Sequence, residues 1–449
     1  MAKITHTLQK VKNSCDYGIS EKTILAATEK VKHKYRDRIL GPVQTIFLFM
    51  TQIIHGNAAC SSLRHSADMK CSVVAYCNAR ARLPVALFRR LLEWVCESLR
   101  DVTDESSRWL GHRVFHIDGS SFSMPDTADL QKAFGQSGVQ KKGCGFPTAH
   151  MLLMTDAATG LIMDILAGPL RTHEMSQVSG MHPKLRSGDV LVGDRGFCSF
   201  AHLALLLRDK LHGVLRIHQR TIVDFTPGRR HVKGKAGPSE KGLPRSQWLQ
   251  CNGANDQIVR WFKPKIKPRW MSREDYAELA DSIIVRELRY RVETPGYRTR
   301  CVTLVTTLLD DEKYQAEELA ELYRCRWQIE TNLRHLKQTM GMDVLRCKTA
   351  DGVRKEMLMF AIVYNLVCGV IYDAAERQGV CPGRISFIDA LRWLRNAGPG
   401  SKLIDLIINP CRPGRFEPRV VKRRPKKYGL LNKPRKTLRN RLKNKHVAA

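Results

Sequence analysis

Apolar positions in the first hundred residues recur at intervals of three and four. Residues 42–54 and 84–99 carry this pattern most clearly, and the period is typical of helices that bury one face. A third helix is predicted from Ser66 to Leu83, with Ser66 as its N-cap, because a serine hydroxyl can accept a hydrogen bond from the first turn. We therefore predict that residues 1–108 form a helical region.

At Arg113 short apolar runs replace the helical period. Strands are predicted at 114–118, 149–155, 161–167, 189–193 and 213–217. A turn at 156–160 joins the second and third of these strands into a hairpin. Helices are predicted at 176–185 and 201–210. Strands and helices in this order predict an α/β fold in which helices cover a mixed sheet.

Residues 221–308 have a different composition. The part from 221 to 267 is rich in Gly, Pro and basic residues and is predicted to be a flexible loop. Strands are predicted at 282–290 and 300–308, with a turn at 294–297. This part of the chain is therefore predicted to be a β-rich insertion.

Helical patterns return after the insertion, at 321–339, 356–374 and 387–395. The predicted organisation has five parts: a helical region at 1–108, the first part of an α/β core at 109–220, the insertion at 221–308, the second part of the core at 309–398, and a basic tail at 399–449.

The charge balance points to a polyanionic partner. The chain carries 75 Lys and Arg against 43 Asp and Glu, a net charge of +32. Nucleic acid, which releases counterions on binding, is favoured over a membrane surface as that partner. Residues 411–449 hold 15 Lys or Arg and a single acid, Glu417. Such a tail is usually disordered alone, and it can clamp phosphate backbones without reading bases.

Two further basic surfaces are predicted, and each has a structural alternative. The cationic strands of the insertion could lie on DNA, or they could form a structural hairpin with a solvated outer face. The helical region could contact phosphates, or it could be a bundle with solvated basic faces; no clear helix-turn-helix signature is present. The typical phosphate contacts in this region are Lys70, Arg80, Arg82, Arg89 and Arg90.

Cysteines, histidines and apolar runs exclude several other classes. The 14 cysteines include no Cys-x-x-Cys pair, and His112 and His116 lack zinc-like partners, so a zinc finger is not expected. No phosphate-loop motif indicates a nucleotide cofactor. The most apolar run, residues 357–372, is interrupted by Asn365 and is predicted to be a buried helix too short to span a bilayer comfortably. With no signal peptide apparent, we expect a cytoplasmic protein with reduced thiols.

Asp118 and Asp194 each end a predicted strand. Ligands of α/β sheets collect outside strand ends, so both carboxylates are candidates for catalysis. Each could instead be a turn residue or a helix cap. The competing aspartates, less favoured because one lies in a turn and another within a strand, are Asp126, Asp156 and Asp164.

The segment 321–339 supplies a third carboxylate. Its key residues, which share one face of a helix at spacings of three, four and seven, are Tyr323, Arg326, Glu330 and Lys337. A carboxylate flanked by cations suits a divalent metal and phosphates, although a solvated helix with ion pairs would have the same pattern. Trp327 could stack on an unpaired base, or it could pack in the core, as a helical tryptophan more often does.

Asp118, Asp194 and Glu330 could together bind two Mg²⁺ ions. Carboxylates suit this ion because Mg²⁺ prefers hard oxygen ligands and keeps positions open for water and phosphate. Two such ions would activate a water or 3′-hydroxyl and stabilise the leaving oxygen at phosphorus. Arg326 and Lys337 would hold phosphates, and Tyr323 could donate a hydrogen bond to one.

Several motifs resemble the bacterial insertion-sequence DDE transposases of insertion-sequence family four. The pattern Tyr-x2-Arg-x3-Glu-x6-Lys at 323–337 is similar to the YREK signature of that family. The other similar stretches are IDGSSFSMPDT around Asp118, VGDRGF around Asp194, PGYRTRCVTLVTTLLD before the YREK helix, CNARARLP, and EPRVVKRRPKKYGLL. The resemblance covers roughly residue 70 to the end, and no motif position in the triad or the signature departs from it.

The resemblance implies an RNase H-like catalytic core, with an insertion before the Glu330 helix. It implies Mg²⁺-dependent cleavage and strand transfer at inverted repeats, with Mn²⁺ as a substitute ion, often by cut-and-paste through a DNA hairpin. Asp118, Asp194 and Glu330 are then the catalytic metal ligands. The DNA contacts are then Tyr323, Arg326, Lys337, Trp327 and Arg195. Expected partners are the double-stranded DNA of the element ends and the target, held by a homodimer near the bacterial nucleoid, with the helical region reading the ends.

Two alternatives stay open from the sequence. One is a catalytically silent DNA-binding protein that represses its element, although the intact carboxylates argue against this interpretation. The other is an RNase H-fold nuclease that hydrolyses DNA and never joins ends.

Overall fold

Nine strands form one mixed sheet that runs through most of the chain. The computed structural model describes residues 19–36, 38–66, 71–100, 108–170, 172, 174–232, 242–292, 301–396, 402–411, 431 and 433–447. The strands are β1 Val114–Ser123, β2 Thr148–Asp156, β3 Ile162–Pro169, β4 Val190–Gly193, β5 His212–Arg216, β6 Gln247–Gly253, β7 Asp256–Phe262, β8 Ser282–Arg291 and β9 Cys301–Thr306. Their order across the sheet is β3-β2-β1-β4-β5-β9-β8-β7-β6.

The centre of the sheet is parallel and its flanks are antiparallel. Strand β4 pairs in parallel with β1 on one side and with β5 on the other. Every residue of β4 is buried, which explains its unbroken apolar sequence Val-Leu-Val-Gly. The outer pairs, β2 with β3 and β6 through β9, are antiparallel.

Helices cover both faces of the sheet and form the N-terminal region. They are α1 Glu21–Lys30, α2 Pro42–Ile54, α3 Leu63–Ser66, α4 Val73–Arg82, α5 Val85–Arg100, α6 Ala128–Ala133, α7 Met175–Val178, α8 Phe200–Arg208, α9 Arg273–Glu278, α10 Ala316–Cys325, α11 Trp327–Arg334, α12 Ala350–Gln378, α13 Phe387–Asn396 and α14 Arg435–Val447. A π-helical turn, His335–Thr339, continues α11.

The helix α12 is the centre of the larger hydrophobic core. It begins at a Thr349 cap, ends before Gly379 in the left-handed conformation, and is 29 residues long. It packs against α2, α5, α13 and β3. Its length and composition would suffice to cross a membrane, but 83% of its most apolar window is buried inside the protein. The predicted buried helix is confirmed, while the prediction that it is short is wrong.

Most of the predicted core elements are confirmed. The hairpin β2–β3, the strands β4, β5, β8 and β9, and the helices α2, α5, α8 and α13 lie close to their predicted positions. The segment predicted as one short helix at 176–185 instead forms α7 and a separate 3-10 turn, His182–Lys184. The predicted turn at 294–297 lies outside the described residues.

Three local predictions are wrong. Ser66 was predicted to be an N-cap, but it is the last residue of α3. The next helix, α4, begins at Val73, and its N-cap is Ser72, whose hydroxyl accepts a hydrogen bond from the Ala75 amide. The segment 221–267 is not a flexible loop throughout, since it contains the paired strands β6 and β7. The basic tail is not structureless throughout, since its described part includes α14.

The strands of the predicted insertion extend the core sheet. Strand β9 pairs with β5 over Arg216 and Leu304, and β8 pairs with β9. The described strands of 221–308 therefore belong to the core sheet, and the predicted division of the chain into five parts stays a prediction.

Candidate active site

Adjacent parallel strands place two carboxylates side by side. Ile117 of β1 is in register with Gly193 of β4, so Asp118 and Asp194 each come one residue later on strands that run about 4.8 Å apart. Asp118 lies on the same face of β1 as Val114, because side chains alternate along a strand and the two residues are four positions apart. Val114 packs with Leu322 of α10. Asp118 therefore points to the side of the sheet covered by α10 and α11.

The sequence predicted that Asp118 ends its strand, and this prediction is wrong. Strand β1 continues to Ser123 and is paired with β2 from Phe115 to Ser123. What ends near Asp118 is the parallel pairing with β4. Asp118 thus lies within a continuous strand, next to the point where the adjacent strand β4 ends.

The helical segment that carries the YREK pattern is interrupted at Arg326. The helix α10 ends at Cys325 and α11 starts at Trp327, while the Arg326 amide donates to the Tyr323 carbonyl at 3.2 Å. The predicted single helix at 321–339 is therefore two helices and a π-helical turn. The arginine side chain at this break is directed inward and is only 5% exposed.

Arg326 holds two of the three candidate carboxylates. Its Nη1 lies 3.5 Å from Asp118 Oδ2, and its Nη2 lies 3.4 Å from Glu330 Oε1. Asp194 also acts electrostatically on Arg326. The guanidinium is therefore the shared cation of Asp118, Asp194 and Glu330, and the structure brings together the three residues that the sequence singled out.

Burial dominates the electrostatics of Asp118. The pKa of this carboxyl is raised to about 6, mainly by loss of water and to a smaller extent by the nearby Glu330 and Asp194, while Arg326 and a hydrogen bond from the Gly119 amide partly offset the rise. That amide donates to Asp118 Oδ1 at 2.8 Å. A carboxylate with a raised pKa among other carboxylates is typical of a site that binds a cation.

Lys337 reaches β1 from the π-helical turn. Its Nζ donates to Ser120 Oγ at 2.9 Å and pairs with Asp343 Oδ1 at 3.2 Å. Ser120 is two residues beyond Asp118 and so lies on the same face of the strand. Single π-helical turns occur often at functional sites, where they shift a side chain relative to the helix before them.

The aromatic residues beside Arg326 differ in exposure. The Tyr323 ring is buried, burial raises the pKa of its hydroxyl to about 12, and among the described residues the hydroxyl has no hydrogen-bond partner. Trp327 is 46% exposed, so it is not a core residue. The Arg326 guanidinium lies 5.5 Å from the centroid of each ring. Arg195 is exposed beyond Asp194 and donates to Gln219 at 2.9 Å.

The structure adds Arg216 to the site, and it places there His116, which the sequence analysis had weighed only as a zinc ligand. Arg216 ends β5, where Leu215 is in register with Gly193, so Arg216 is the neighbour of Asp194. His116 precedes Asp118 on the same face, is 1% exposed, and has no partner for Nε2 within the described chain. Burial, and then Arg326, lowers the pKa of His116 to about 4. The register of β4 and β5 would have revealed Arg216, had the pairing been known, whereas the alternation along β1 is enough to place His116 on the Asp118 face.

The competing aspartates have structural roles. Asp156 Oδ1 accepts from two amides of its own turn at 3.0 and 3.1 Å. Asp164 pairs with Arg89, and Asp126 pairs with Arg435. His112 binds the Gly188 carbonyl and the Tyr314 hydroxyl, which accounts for both of its ring nitrogens.

The donor set fits a hard divalent cation. All three candidate ligands are carboxylates, and they already surround one positive group. Across the described ranges, however, no three His, Cys, Asp or Glu side chains form a ready metal cluster. The carboxylates lie around the Arg326 guanidinium. To bind a metal ion, they would have to replace their contacts with Arg326 by contacts with the ion.

Comparisons with known proteins agree with this geometry. The profile of the family described as "Transposase DDE domain" matches residues 109–366, which is more than half of the chain. Transposase InsG for insertion sequence element IS4 of Escherichia coli (strain K12) is 24% identical over 373 residues, 79% of this chain and 77% of that relative. Putative transposase InsL for insertion sequence element IS186A of the same strain is 39% identical over 72 residues, 16% of this chain and 18% of the relative.

A solved structure also aligns with the chain. It is the piggyBac transposase synaptic complex with hairpin DNA, at a TM-score of 0.40 and 12% identity, covering 88% of this chain and 78% of that chain.

Proposed function

The chain belongs to the DDE transposases of the type found in insertion sequence IS4, and from this premise we propose that it cleaves and joins DNA at its element's ends using Asp118, Asp194 and Glu330. The family and the mixed sheet agree on an RNase H-like core, as predicted, and the chain is a DNA-binding enzyme. The single observation that carries the proposal is the Arg326 guanidinium shared by Asp118 and Glu330 beside Asp194.

Divalent-metal dependence is general in this family, and we propose that the ion is Mg²⁺, with Mn²⁺ as a substitute. Asp118, Asp194 and Glu330 would hold two ions. When bound, the ions would activate the attacking hydroxyl and stabilise the leaving oxygen. Asp118 must be ionised to bind, and its raised pKa means that the carboxylate is exposed to competition from protons near pH 6.

Arg326, Lys337, Tyr323 and Arg195 are proposed to hold the DNA phosphates. Once the carboxylates turn to a metal, the Arg326 guanidinium becomes available to a phosphate in a bidentate contact. Lys337 already lies on the Asp118 face of β1, and the unpartnered Tyr323 hydroxyl lies beside Arg326. Arg195 is exposed just beyond Asp194 and would contact the flanking backbone.

A cut-and-paste pathway through a hairpin is proposed as well. Hairpin formation distorts the end of the duplex and leaves an unpaired base that needs a stacking partner. Trp327 is 46% exposed beside Arg326 and presents such a surface. Replacing Trp327 with Ala should slow hairpin formation more than the first nick, and replacement with Phe should retain much of it.

Assembly is proposed to involve a homodimer, because two ends must be held together for joining. Mixing two end duplexes of different length with the protein tests this directly. A complex that contains both lengths on a native gel supports pairing of ends, whereas complexes with one duplex each contradict it.

The proposed catalytic assignment is tested with the variants Asp118→Asn, Asp194→Asn and Glu330→Gln. Labelled duplexes that carry the element ends are incubated with each protein, with and without Mg²⁺. We expect cleavage to fall by at least about 10³-fold while end binding survives, since removing one catalytic group typically has an effect of that size. Glu318→Gln, an exposed carboxylate of α10, is the matched control and should cleave normally.

Cleavage retained in all three variants would contradict the assignment. The products also separate the two alternatives left by the sequence. A silent repressor binds the ends and leaves them uncut, and a simple nuclease cuts them without joining a 3′-end to target DNA.

A further inference from the structure

A basic cleft opens in the N-terminal helical region, away from the three carboxylates. It has a volume of about 500 Å³ and lies between the α1–α2 connection and the end of α4. The lining residues are His33, Lys34, Tyr35, Arg36, Arg38, Leu40, Pro42, Ala79, Arg82 and Leu83. A space of this size holds a nucleotide-sized unit rather than a helix or a duplex.

Four cations line the cleft, and the described lining contains no carboxylate. Lys34, Arg36 and Arg38 come from the connection, and Arg82 comes from α4. All four are exposed. Like charges gathered around one concavity create a focused positive potential, which an anion of several charges relieves. The cleft is therefore chemically matched to phosphates.

An aromatic surface lies among these cations. The rings of His33 and Tyr35 are stacked, with centroids 6.2 Å apart and an interplanar angle of 20°. Tyr35 is 46% exposed and Ile39 is 75% exposed. Exposed aromatic and apolar groups next to cations suit a nucleotide, since they can contact a sugar or a base while the cations bind phosphate.

The α4 wall of the cleft is fixed to the catalytic core. Lys355 of α12 donates to the carbonyls of Arg80, Ala81 and Leu83, at 3.2, 2.8 and 2.8 Å. These bonds satisfy the carbonyls at the end of α4 and place a positive charge there. Arg82 lies in this anchored stretch, so a phosphate held by Arg82 keeps a fixed position relative to α12.

The predicted phosphate contacts of the helical region differ in whether they are free to bind DNA. Arg80, which the sequence predicted as a phosphate contact, donates to Gln52 at 2.9 Å and lies over the Phe49 ring inside the protein. Arg89 pairs with Asp164, and Arg90 pairs with Glu93. Lys70 lies outside the described residues. Of the predicted contacts that are described, Arg82 alone is exposed and lines the cleft.

We infer that this cleft binds the sugar–phosphate backbone of one DNA strand at the element's end, over one or two nucleotides. Arg36, Arg38 and Arg82 contact the phosphates, and Tyr35 packs against a sugar or base. The inference rests on the proposed function for the identity of the DNA, and it adds a binding site whose lining includes none of the three carboxylates.

The test uses the full-length protein and a fluorescent duplex that carries the terminal repeat flanking the gene. The double variant Arg36→Ala/Arg38→Ala removes two cleft cations, and Lys22→Ala/Arg64→Ala removes two exposed cations from the same helical region outside the cleft. We expect the cleft variant to bind at least about tenfold more weakly near 0.15 M salt. Its slope of log affinity against log salt should fall by about 1.8, that is, about 0.9 per lost phosphate contact.

Tyr35 provides a second, independent variant. Tyr35→Ala should weaken binding several-fold, and Tyr35→Phe should bind as the wild type does, if the ring contacts the DNA. Equal affinity and equal salt slope for the cleft variant and its control would overturn the inference. Tighter binding of an RNA duplex of the same length would overturn it too.

Cleavage measured in the same reactions separates this inference from the proposed function. A wild-type protein that binds through the cleft and does not cleave contradicts the catalytic proposal alone. A wild type that cleaves, with a cleft variant that binds and cleaves equally, contradicts the cleft alone.

Discussion

Arg326 sets the charge balance among the candidate carboxylates. It is nearly fully buried and contacts Asp118 and Glu330 through different nitrogens. A planar guanidinium can serve two carboxylates in this way, whereas an ammonium is a single point of charge. The arginine therefore partly offsets the charge of the acids around it, and it is positioned to release them to a metal.

Replacing Arg326 with Lys tests this role. The charge is kept, but a lysine cannot hold Asp118 and Glu330 together, so we expect cleavage to fall by about 10²-fold. End binding should change by no more than a few-fold. Arg324→Lys, at an exposed position of α10, is the control and should cleave as the wild type does. Single-turnover cleavage by Arg326→Lys at the wild-type rate would contradict the role.

Asp118 gives a prediction for stability against pH. Its folded pKa of about 6 lies above the value of about 3.9 for an unfolded aspartate, so the folded state binds the proton more tightly. The stability gained from protonation is present below about pH 4 and is lost as the pH rises through 6. Asp118→Asn should therefore be more stable than the wild type by about 1–3 kcal/mol at pH 7.5 without metal.

Thermal unfolding in EDTA between pH 4 and pH 8 measures this difference. Near pH 4 the two proteins should converge, and added Mg²⁺ should stabilise the wild type more than the variant. Asp351→Asn, an exposed carboxylate of α12, controls for the change in net charge. A wild type whose stability rises between pH 4 and pH 7, relative to Asp118→Asn, would contradict the assignment of the raised pKa.

The spacing of residues in the sequence predicted which side chains share one face of a helix. It did not predict which side chains lie next to each other on adjacent strands. Arg326, Glu330 and Lys337 follow helical spacing, which is readable from one sequence. Arg216 joins the site only because β1, β4 and β5 are in a particular register. Register depends on contacts between distant segments, and local patterns do not contain it.

At the level of elements, the break at Arg326 was not visible in the sequence. Residues 321–339 contain neither Gly nor Pro and favour a continuous helix. A tertiary contact of Arg326 with Asp118 accompanies the interruption. The hairpin β6–β7 was missed for a similar reason, because the Gly- and Pro-rich sequence before it masked two short strands with modest alternation.

A buried acid joins the N-terminal helices to the catalytic core. Glu356 of α12 is fully buried and accepts from Asn57 at 2.7 Å and from the backbone amides of Arg346 and Cys347. Asn57 in turn accepts from Gln52 of α2 at 3.2 Å. The network thus links α2, α12 and the loop that follows the Lys337 turn.

Replacing Glu356 with Gln should lower the free energy of unfolding by about 2–4 kcal/mol. The amide keeps the shape of the side chain but turns a charged acceptor toward backbone donors into a neutral, partly mismatched one. Glu376→Gln, at an exposed position of the same helix, should change stability by less than about 0.5 kcal/mol. Chemical denaturation measures both variants, and an unchanged midpoint for Glu356→Gln would contradict the predicted contribution.

Helix α14 is held on the core by its first residue. Arg435 pairs with Asp126 at 3.3 Å, donates to the Gly145 carbonyl at 3.0 Å, and lies 3.7 Å over the Phe146 ring. Lys436, Arg439 and Arg441 are exposed on the same helix. From Arg435 to Arg441, where burial is described, no residue of this basic helix is buried, so its position depends on such an anchor.

Arg435→Met should release α14. Limited trypsin digestion should then remove the C-terminal segment several-fold faster than in the wild type, because a detached helix frays. Arg439→Met, which leaves the Arg435 contacts in place, is the control and should be digested at the wild-type rate. Equal rates for both variants would show that the anchor does not hold the helix.

At the scale of the whole molecule, the fold presents two basic surfaces. The cleft at residues 33–40 lies on the N-terminal helices, and α14 lies against Asp126, just beyond the end of β1. The net charge of +32 predicted a nucleic-acid partner without showing where it would bind. Composition gives the sum of charges, whereas the fold decides which cations are exposed and which, like the half-buried Arg80, are engaged by internal partners.

The most direct test of the central claim is cleavage of the element's own ends by wild type and Glu330→Gln, with and without Mg²⁺. A labelled duplex from the DNA that flanks the gene is incubated with each protein, and nicked, hairpin and joined products are separated. We predict end-specific nicks followed by joined products with wild type and Mg²⁺ only, while Glu330→Gln binds the same duplex and leaves it intact. Mg²⁺-dependent cleavage by Glu330→Gln at the wild-type rate would contradict the account.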